Sequence, residues 1–192
     1  MLNHSALDEA LQALSRLLAE RGRTYELVVV GGSGLLLLGL TIRPTRDLDV
    51  IAVVEQGRYV KVKELPGPLG EAVHDVGQVL GLGPGWINTG PADLLDLGLP
   101  EGFPGRTETR SYGALVLRVA GRSDQVFLKL YAAADHGPSS KHFQDLLRLS
   151  PANDELLDAA RWAVTHDPSE GFRSQLRGCL IALGVDEDEI HL

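Results

Sequence analysis

The chain has 192 residues, a formal net charge of -8 and 44% hydrophobic residues, enough for one domain or a small domain with an appendage. No apolar run reaches the ~18 residues of a transmembrane helix, so no membrane association is expected. Acidic residues inside a helical pattern at the amino end do not resemble a signal peptide. The single cysteine, Cys179, gives no disulfide framework or cysteine metal cluster, which points to a reducing cytoplasm. An acidic chain is also a poor general ligand for nucleic acid. The charge is uneven, however. From Arg106 to Arg148, seven Lys or Arg stand against four Asp or Glu, leaving a local positive excess that can form a basic surface.

Leu7, Leu11, Leu14, Leu17 and Leu18 recur at helical spacing, so residues 5–22 read as an amphipathic helix, with Ser5 and Asp8 as its cap. Tyr25–Val30 is a strand, broken by Gly31-Gly32. Ser33–Leu40 suits a short buried helix, and Leu48–Val54 is the next strand. Residues 66–80 read as a helix containing Gly70 and Gly77, residues 81–91 as loop, and residues 91–97 as one or two helical turns. Arg106–Val119 forms two strands turning near Gly113. Beyond Ser123 the pattern is helical, over roughly 123–135, 139–149, 153–166 and 171–183, with Pro138, Pro151 and Pro168 at the breaks. The expected organisation is α/β (α+β): a mixed sheet with flanking helices over 1–122, then a helical lobe over 123–192.

The informative stretch runs from Val28 to Val54, VVVGGSGLLLLGLTIRPTRDLDVIAVV. In Asp47-Leu48-Asp49-Val50 the acids share one strand face and the aliphatics the other, with the two acidic α-carbons ~6.6 Å apart. Two carboxylates that close repel unless a cation neutralises them. Their hard oxygens suit Mg²⁺ or Mn²⁺, above all when phosphate oxygens complete the shell. The plainer alternative is a strand entrance with both acids solvated. Gly31-Gly32-Ser33 weighs against that alternative. Glycines at a strand-to-helix turn let backbone approach a ligand, free N–H groups there face phosphate, and Ser33 adds a hydroxyl. A dinucleotide fingerprint starting at Gly32 and Gly34 fails because Leu37 occupies the third glycine position. A Walker A loop is excluded because no Gly-Lys-Ser/Thr follows the turn.

Gly31-Gly32-Ser33, thirteen residues, then Asp47-Leu48-Asp49-Val50 resembles the signature of the DNA polymerase β-like nucleotidyltransferase superfamily. The fuller GGSGLLLLGLTIRPTRDLDVIA, with Arg43 and Thr45 in an R-x-T element, is similar to its AbiEii-type branch, which includes toxins of bacterial toxin–antitoxin pairs. Downstream, Val126–Ala132 around Lys129 and Lys141–Leu146 around Asp145 resemble that branch's lysine helix and K-D-x-x-D-L helix, with His142 in place of the first Asp. Trp86-Ile87-Asn88 resembles a W-h-N element of relatives. The resemblance spans about residues 25–150.

The resemblance implies nucleotide transfer from a nucleoside triphosphate to an acceptor, with tRNA foremost and an antitoxin protein as a possible partner. Asp47 and Asp49 would hold the metal. Gly31, Gly32, Ser33, Arg43, Thr45 and Lys129 would contact phosphate, and Asp145 would orient Lys129 or assist near the metal. Arg43 has the alternative of an ion pair with Asp47 or Asp49, Lys129 that of a solvated helix residue, and Asp145 that of a surface acid. Trp86 and Trp162 read as core residues rather than base-stacking platforms. One departure stands out. Many superfamily members carry a third acid on a later strand, whereas Ala114–Val119 offers only Arg118, with Glu108 a weak substitute on the strand before. The alternatives are therefore an inactive nucleotide- or partner-binding relative, or a transferase acting on a protein or small molecule.

Overall fold

A computed structural model describes all 192 residues. They form a six-stranded mixed sheet and nine α-helices, an α+β architecture. The chain divides into two compact units, Met1–Ala120 and Gly121–Leu192. No helix is long and apolar enough to cross a membrane.

The first unit opens with α1 (His4–Glu20), whose leucines at positions 7, 11, 14 and 18 are fully buried. Burying each contributes about 1.5–3 kcal/mol. The cap is Asn3, not Ser5: its side chain accepts from the Ala6 N–H at 2.9 Å. Asn and Ser serve equally well at this position, so the residue that the preceding chain presents in extended conformation decides. Strand β1 (Tyr25–Val30) follows, then α2 (Gly31–Leu37). Helix α2 begins two residues before Ser33, because Gly31 takes a φ of +77° and turns the chain directly out of the strand. Strand β2 (Leu48–Glu55) pairs antiparallel with β1.

Beyond β2 lie two short strands. Strand β3 (Arg58–Val60) covers its far half and pairs antiparallel with Val53–Glu55. Helix α3 (Gly67–Leu80) packs on the sheet beside α1. Gly77 in that helix leaves room for the Trp86 indole, since a β-carbon there would lie 3.2 Å from the ring. The stretch read as loop contains β4 (Ile87–Asn88), which pairs parallel with Leu48 and Asp49. A 3₁₀ turn (Gly90–Asp93) and two one-turn helices, α4 (Leu94–Leu97) and α5 (Phe103–Arg106), lead to β5 (Glu108–Ser111) and β6 (Leu115–Val119). The strand order is β3-β2-β1-β6-β5, with β4 also on β2. Leu27, Val29, Leu48, Val50, Leu115, Leu117 and Val119 face α1 and α3. By alternation, Asp49 and Arg118 project from the opposite face.

The second unit comprises α6 (Arg122–His136), α7 (Lys141–Leu149), α8 (Asn153–His166) and α9 (Glu170–Ala182). An aromatic cluster joins three of them: Tyr131 lies 6.0 Å from Trp162 and 5.5 Å from Phe172, ring centre to ring centre. Trp162 packs edge-on against Phe127 as well.

Candidate functional site

In the first unit the glycine turn and the acidic strand meet. Val30 is paired with Asp49 across β1 and β2, which brings residue 49 beside the start of α2. A β-carbon on Gly31 would lie 2.5 Å from Asp49 Oδ2, so only glycine leaves room for that carboxylate. One residue on, a β-carbon on Gly32 would lie 3.4 Å from an Arg43 guanidinium nitrogen and 3.5 Å from Thr45 Oγ1. Gly31, Gly32, Arg43, Thr45 and Asp49 are thus brought into one small volume. Asp47 stands immediately before β2 rather than within it, and is half-buried. Its carbonyl accepts from Thr45 Oγ1 at 3.2 Å.

The segment carrying Arg43 and Thr45 is pinned at both ends. Thr45 is bridged to Leu2 by two backbone hydrogen bonds of 2.7 and 2.9 Å, and Thr41 Oγ1 accepts from the Arg43 N–H at 3.2 Å. Ser33 is fully buried. Its hydroxyl donates to the Val30 carbonyl and accepts from the Asp49 N–H, both at 3.3 Å. A hydroxyl has one proton to donate, and here that proton ties the turn to itself. Ser33 thereby fixes the backbone of Asp49 against the glycine corner, which is a different use from the phosphate donor expected of it.

Asn88 is the residue that sequence reasoning passed over. Its Nδ2 donates to Asp49 Oδ1 at 3.1 Å, and its Oδ1 accepts from the Gly90 N–H at 2.8 Å. Only the W-h-N element hinted at it. Trp86 of that element is core: 1% exposed, with Nε1 donating to the Val73 carbonyl at 2.9 Å.

Glu108 does not supply a third acid. Its strand is separated from β2 by β6 and β1, roughly 14 Å at ~4.8 Å per strand. It is paired with Val119, so it lies on the helix-covered face, opposite Asp49. No group of three or more His, Cys, Asp or Glu gathers to hold a metal. The donors that fit a hard cation are the carboxylates of Asp47 and Asp49, with the rest of the shell left to water or phosphate oxygen.

In the second unit, Lys129 and Asp145 are buried, and Lys129 Nζ donates to Asp145 Oδ2 at 2.7 Å. Neither a solvated lysine nor a surface acid describes this pair. Arg148 approaches the other carboxylate oxygen at 3.8 Å. His142 lies near this pair, with a buried Nδ1 that has no hydrogen-bond partner. Burial, then the Lys129 and Lys141 charges, lowers its pKa to about 4.

The basic residues between Arg106 and Arg148 are mostly engaged within their own units. Arg110 pairs with Glu108 at 3.6 Å, Arg118 with Glu26, and Arg122 with Glu155 at 2.6 Å. Arg106 donates to the Glu101 carbonyl at 2.8 Å. Much of the positive excess is therefore neutralised locally.

Compared with known families, residues 5–137 match the model of a family described as a nucleotidyltransferase of unknown function (DUF6036). The match takes in the glycine turn, both aspartates, Asn88 and Lys129, and ends before Asp145. No curated protein and no solved structure matches the chain.

Proposed function

The chain belongs to this family of nucleotidyltransferases of unknown function, and from that premise we propose that it transfers a nucleotide from a nucleoside triphosphate to an acceptor, using Mg²⁺ or Mn²⁺. The observation that carries the reading is the packing of the Asp49 carboxylate against Gly31. It sets a carboxylate within a few ångströms of the backbone of a strand-to-helix turn.

In this reading Asp47 and Asp49 hold the cation. Bound there, Mg²⁺ would neutralise charge on the phosphates and steady the leaving pyrophosphate. The backbone N–H groups of Gly31, Gly32 and Ser33 bind the β and γ phosphates. Ser33 and Thr45 keep that turn and the aspartates in register through the hydrogen bonds described above. Arg43, whose guanidinium lies beside Gly32, pairs with phosphate. Lys129 adds a further cation for the triphosphate and Asp145 holds it. That role rests on the motif resemblance. An acceptor hydroxyl then attacks the α-phosphorus and pyrophosphate departs.

For the acceptor we propose RNA, tRNA first, and for the biological setting a toxin of the AbiEii type in the cytoplasm with a protein antitoxin. Both rest on the resemblance of Gly31–Ala52. The missing third carboxylate favours a second reading, a nucleotide- or partner-binding relative with little or no transfer. Transfer to a protein or small molecule is the third.

Incubation with each labelled triphosphate, Mg²⁺ and total tRNA separates them. Label on tRNA that disappears in Asp47→Asn supports the first reading. Label on a protein or small molecule supports the third, and bound triphosphate without transfer supports the second. Absence of both binding and transfer refutes the nucleotide site altogether.

A further inference from the structure

Asn88 is assigned no role by the family match or by the reading above, yet its Nδ2 donates directly to the Asp49 carboxylate at 3.1 Å. Strand β4 is only two residues long, and its register sets Asn88 directly beside Asp49. Three anchors fix that register. The Leu48 N–H donates to the Trp86 carbonyl at 2.7 Å. The Trp86 indole is held by Val73 at 2.9 Å. The Gly90 N–H is held by Asn88 Oδ1 at 2.8 Å.

The Gly90 contact also settles which way the amide points. With Oδ1 taken by an N–H donor, Nδ2 is the end that faces the carboxylate. Turning the amide over would set oxygen against oxygen and N–H against N–H. Asp49 Oδ1 is thereby occupied by a neutral donor, while Oδ2 is directed at the Gly31 corner. A carboxylate that is free to rotate presents either oxygen to a cation. One that is pinned at Oδ1 presents Oδ2.

We propose that Asn88 is a positioning residue of the site: it pins Asp49 Oδ1 so that Oδ2 serves the metal and triphosphate at the glycine turn. The inference rests on the nucleotidyltransferase reading. It adds that the segment Trp86–Gly90 is a working part of the site rather than a connector. A neutral amide also suits the place better than an acid, because it orients Asp49 without adding a like charge 3.1 Å from it.

The test uses the full-length protein and Mn²⁺ alone as the probe, titrated by calorimetry, with urea unfolding followed in parallel. Asn88→Ala is expected to weaken Mn²⁺ binding about 10–100-fold, the usual effect of removing a group that orients a metal ligand. Asn88→Asp separates the two hydrogen bonds. It keeps an acceptor for the Gly90 N–H, so the fold is retained, but sets a second carboxylate against Asp49. The two acids must then share a proton, and Mn²⁺ binding must displace it. The binding heat of Asn88→Asp, but not of wild type, should therefore change with the ionisation enthalpy of the buffer.

Wild-type binding that is lost in Asp49→Asn but unchanged in both Asn88 variants overturns this inference and leaves the nucleotidyltransferase reading standing. A wild-type protein that binds no Mn²⁺, with or without a triphosphate, overturns both.

Discussion

Replacing Gly31 by alanine tests the corner on which the site is built. Two costs are expected. At a φ of +77° an alanine is held in the left-handed region, at about 1–2 kcal/mol. Its β-carbon would also lie 2.5 Å from Asp49 Oδ2, too close for contact, so the carboxylate must turn aside. A rotation of ~30° away from its rotamer costs about 0.5–1.5 kcal/mol more. Gly39 provides the control: its φ is +71°, with nothing within 4 Å of an added β-carbon. Gly39→Ala should carry the backbone cost alone. Urea unfolding of Gly31→Ala, Gly39→Ala and each combined with Asp49→Ala separates the terms. In the Asp49→Ala background the two glycine substitutions should cost the same. In the wild-type background Gly31→Ala should cost more, and the difference is the coupling to the carboxylate. Nucleotide transfer should fall about 100-fold in Gly31→Ala, the scale of a ~1 Å misplacement at a reacting centre, and remain intact in Gly39→Ala. Equal destabilisation by both substitutions in the wild-type background would refute the packing of Asp49 on the turn.

Further outcomes follow from the second unit. Lys129→Ala leaves the buried Asp145 carboxylate without its lysine and should cost about 3–5 kcal/mol, whereas Lys129→Met combined with Asp145→Leu should cost far less; a loss below about 1 kcal/mol for the single change contradicts a buried pair. By calorimetry, Lys129→Ala should weaken triphosphate binding more than monophosphate binding, and equal losses would remove the phosphate role. His142 has a folded pKa near 4 against an ordinary 6.5. The unfolded chain therefore takes up the proton first as pH falls, and the stability from a neutral His142 is present above pH 6.5 and lost between 6.5 and 4. His142→Gln should flatten the stability profile in that window, and an unchanged slope would show that the imidazole titrates normally.

Much of the first unit is written in local pattern. Tyr25–Val30 and Val50–Val54 are runs too apolar and β-branched for anything but buried strands, and the leucines of α1 mark its inner face at 3.6-residue spacing. The glycine turn and the DLD element were legible for the same reason: each is a local departure from such a run. What stayed hidden depends on pairing between distant segments. Strand β4 has two residues and therefore no period to detect, and the contact of Asn88 with Asp49 spans 39 positions. Ser33 looked like a free hydroxyl because its acceptor and donor partners are set by the pairing of β1 with β2. The burial of Lys129 and Asp145 arises from α6 packing on α7, where two polar side chains satisfy each other inside an apolar setting. Nothing in either helix alone encodes that arrangement.

The most direct measurement is a crystal structure of the protein with Mg²⁺ and a non-hydrolysable nucleoside triphosphate. A cation is expected about 2.1 Å from a carboxylate oxygen of Asp47 and from Oδ2 of Asp49, with the β and γ phosphates on the backbone of Gly31–Ser33. A triphosphate bound elsewhere, or a cation that bypasses both aspartates, would contradict this arrangement.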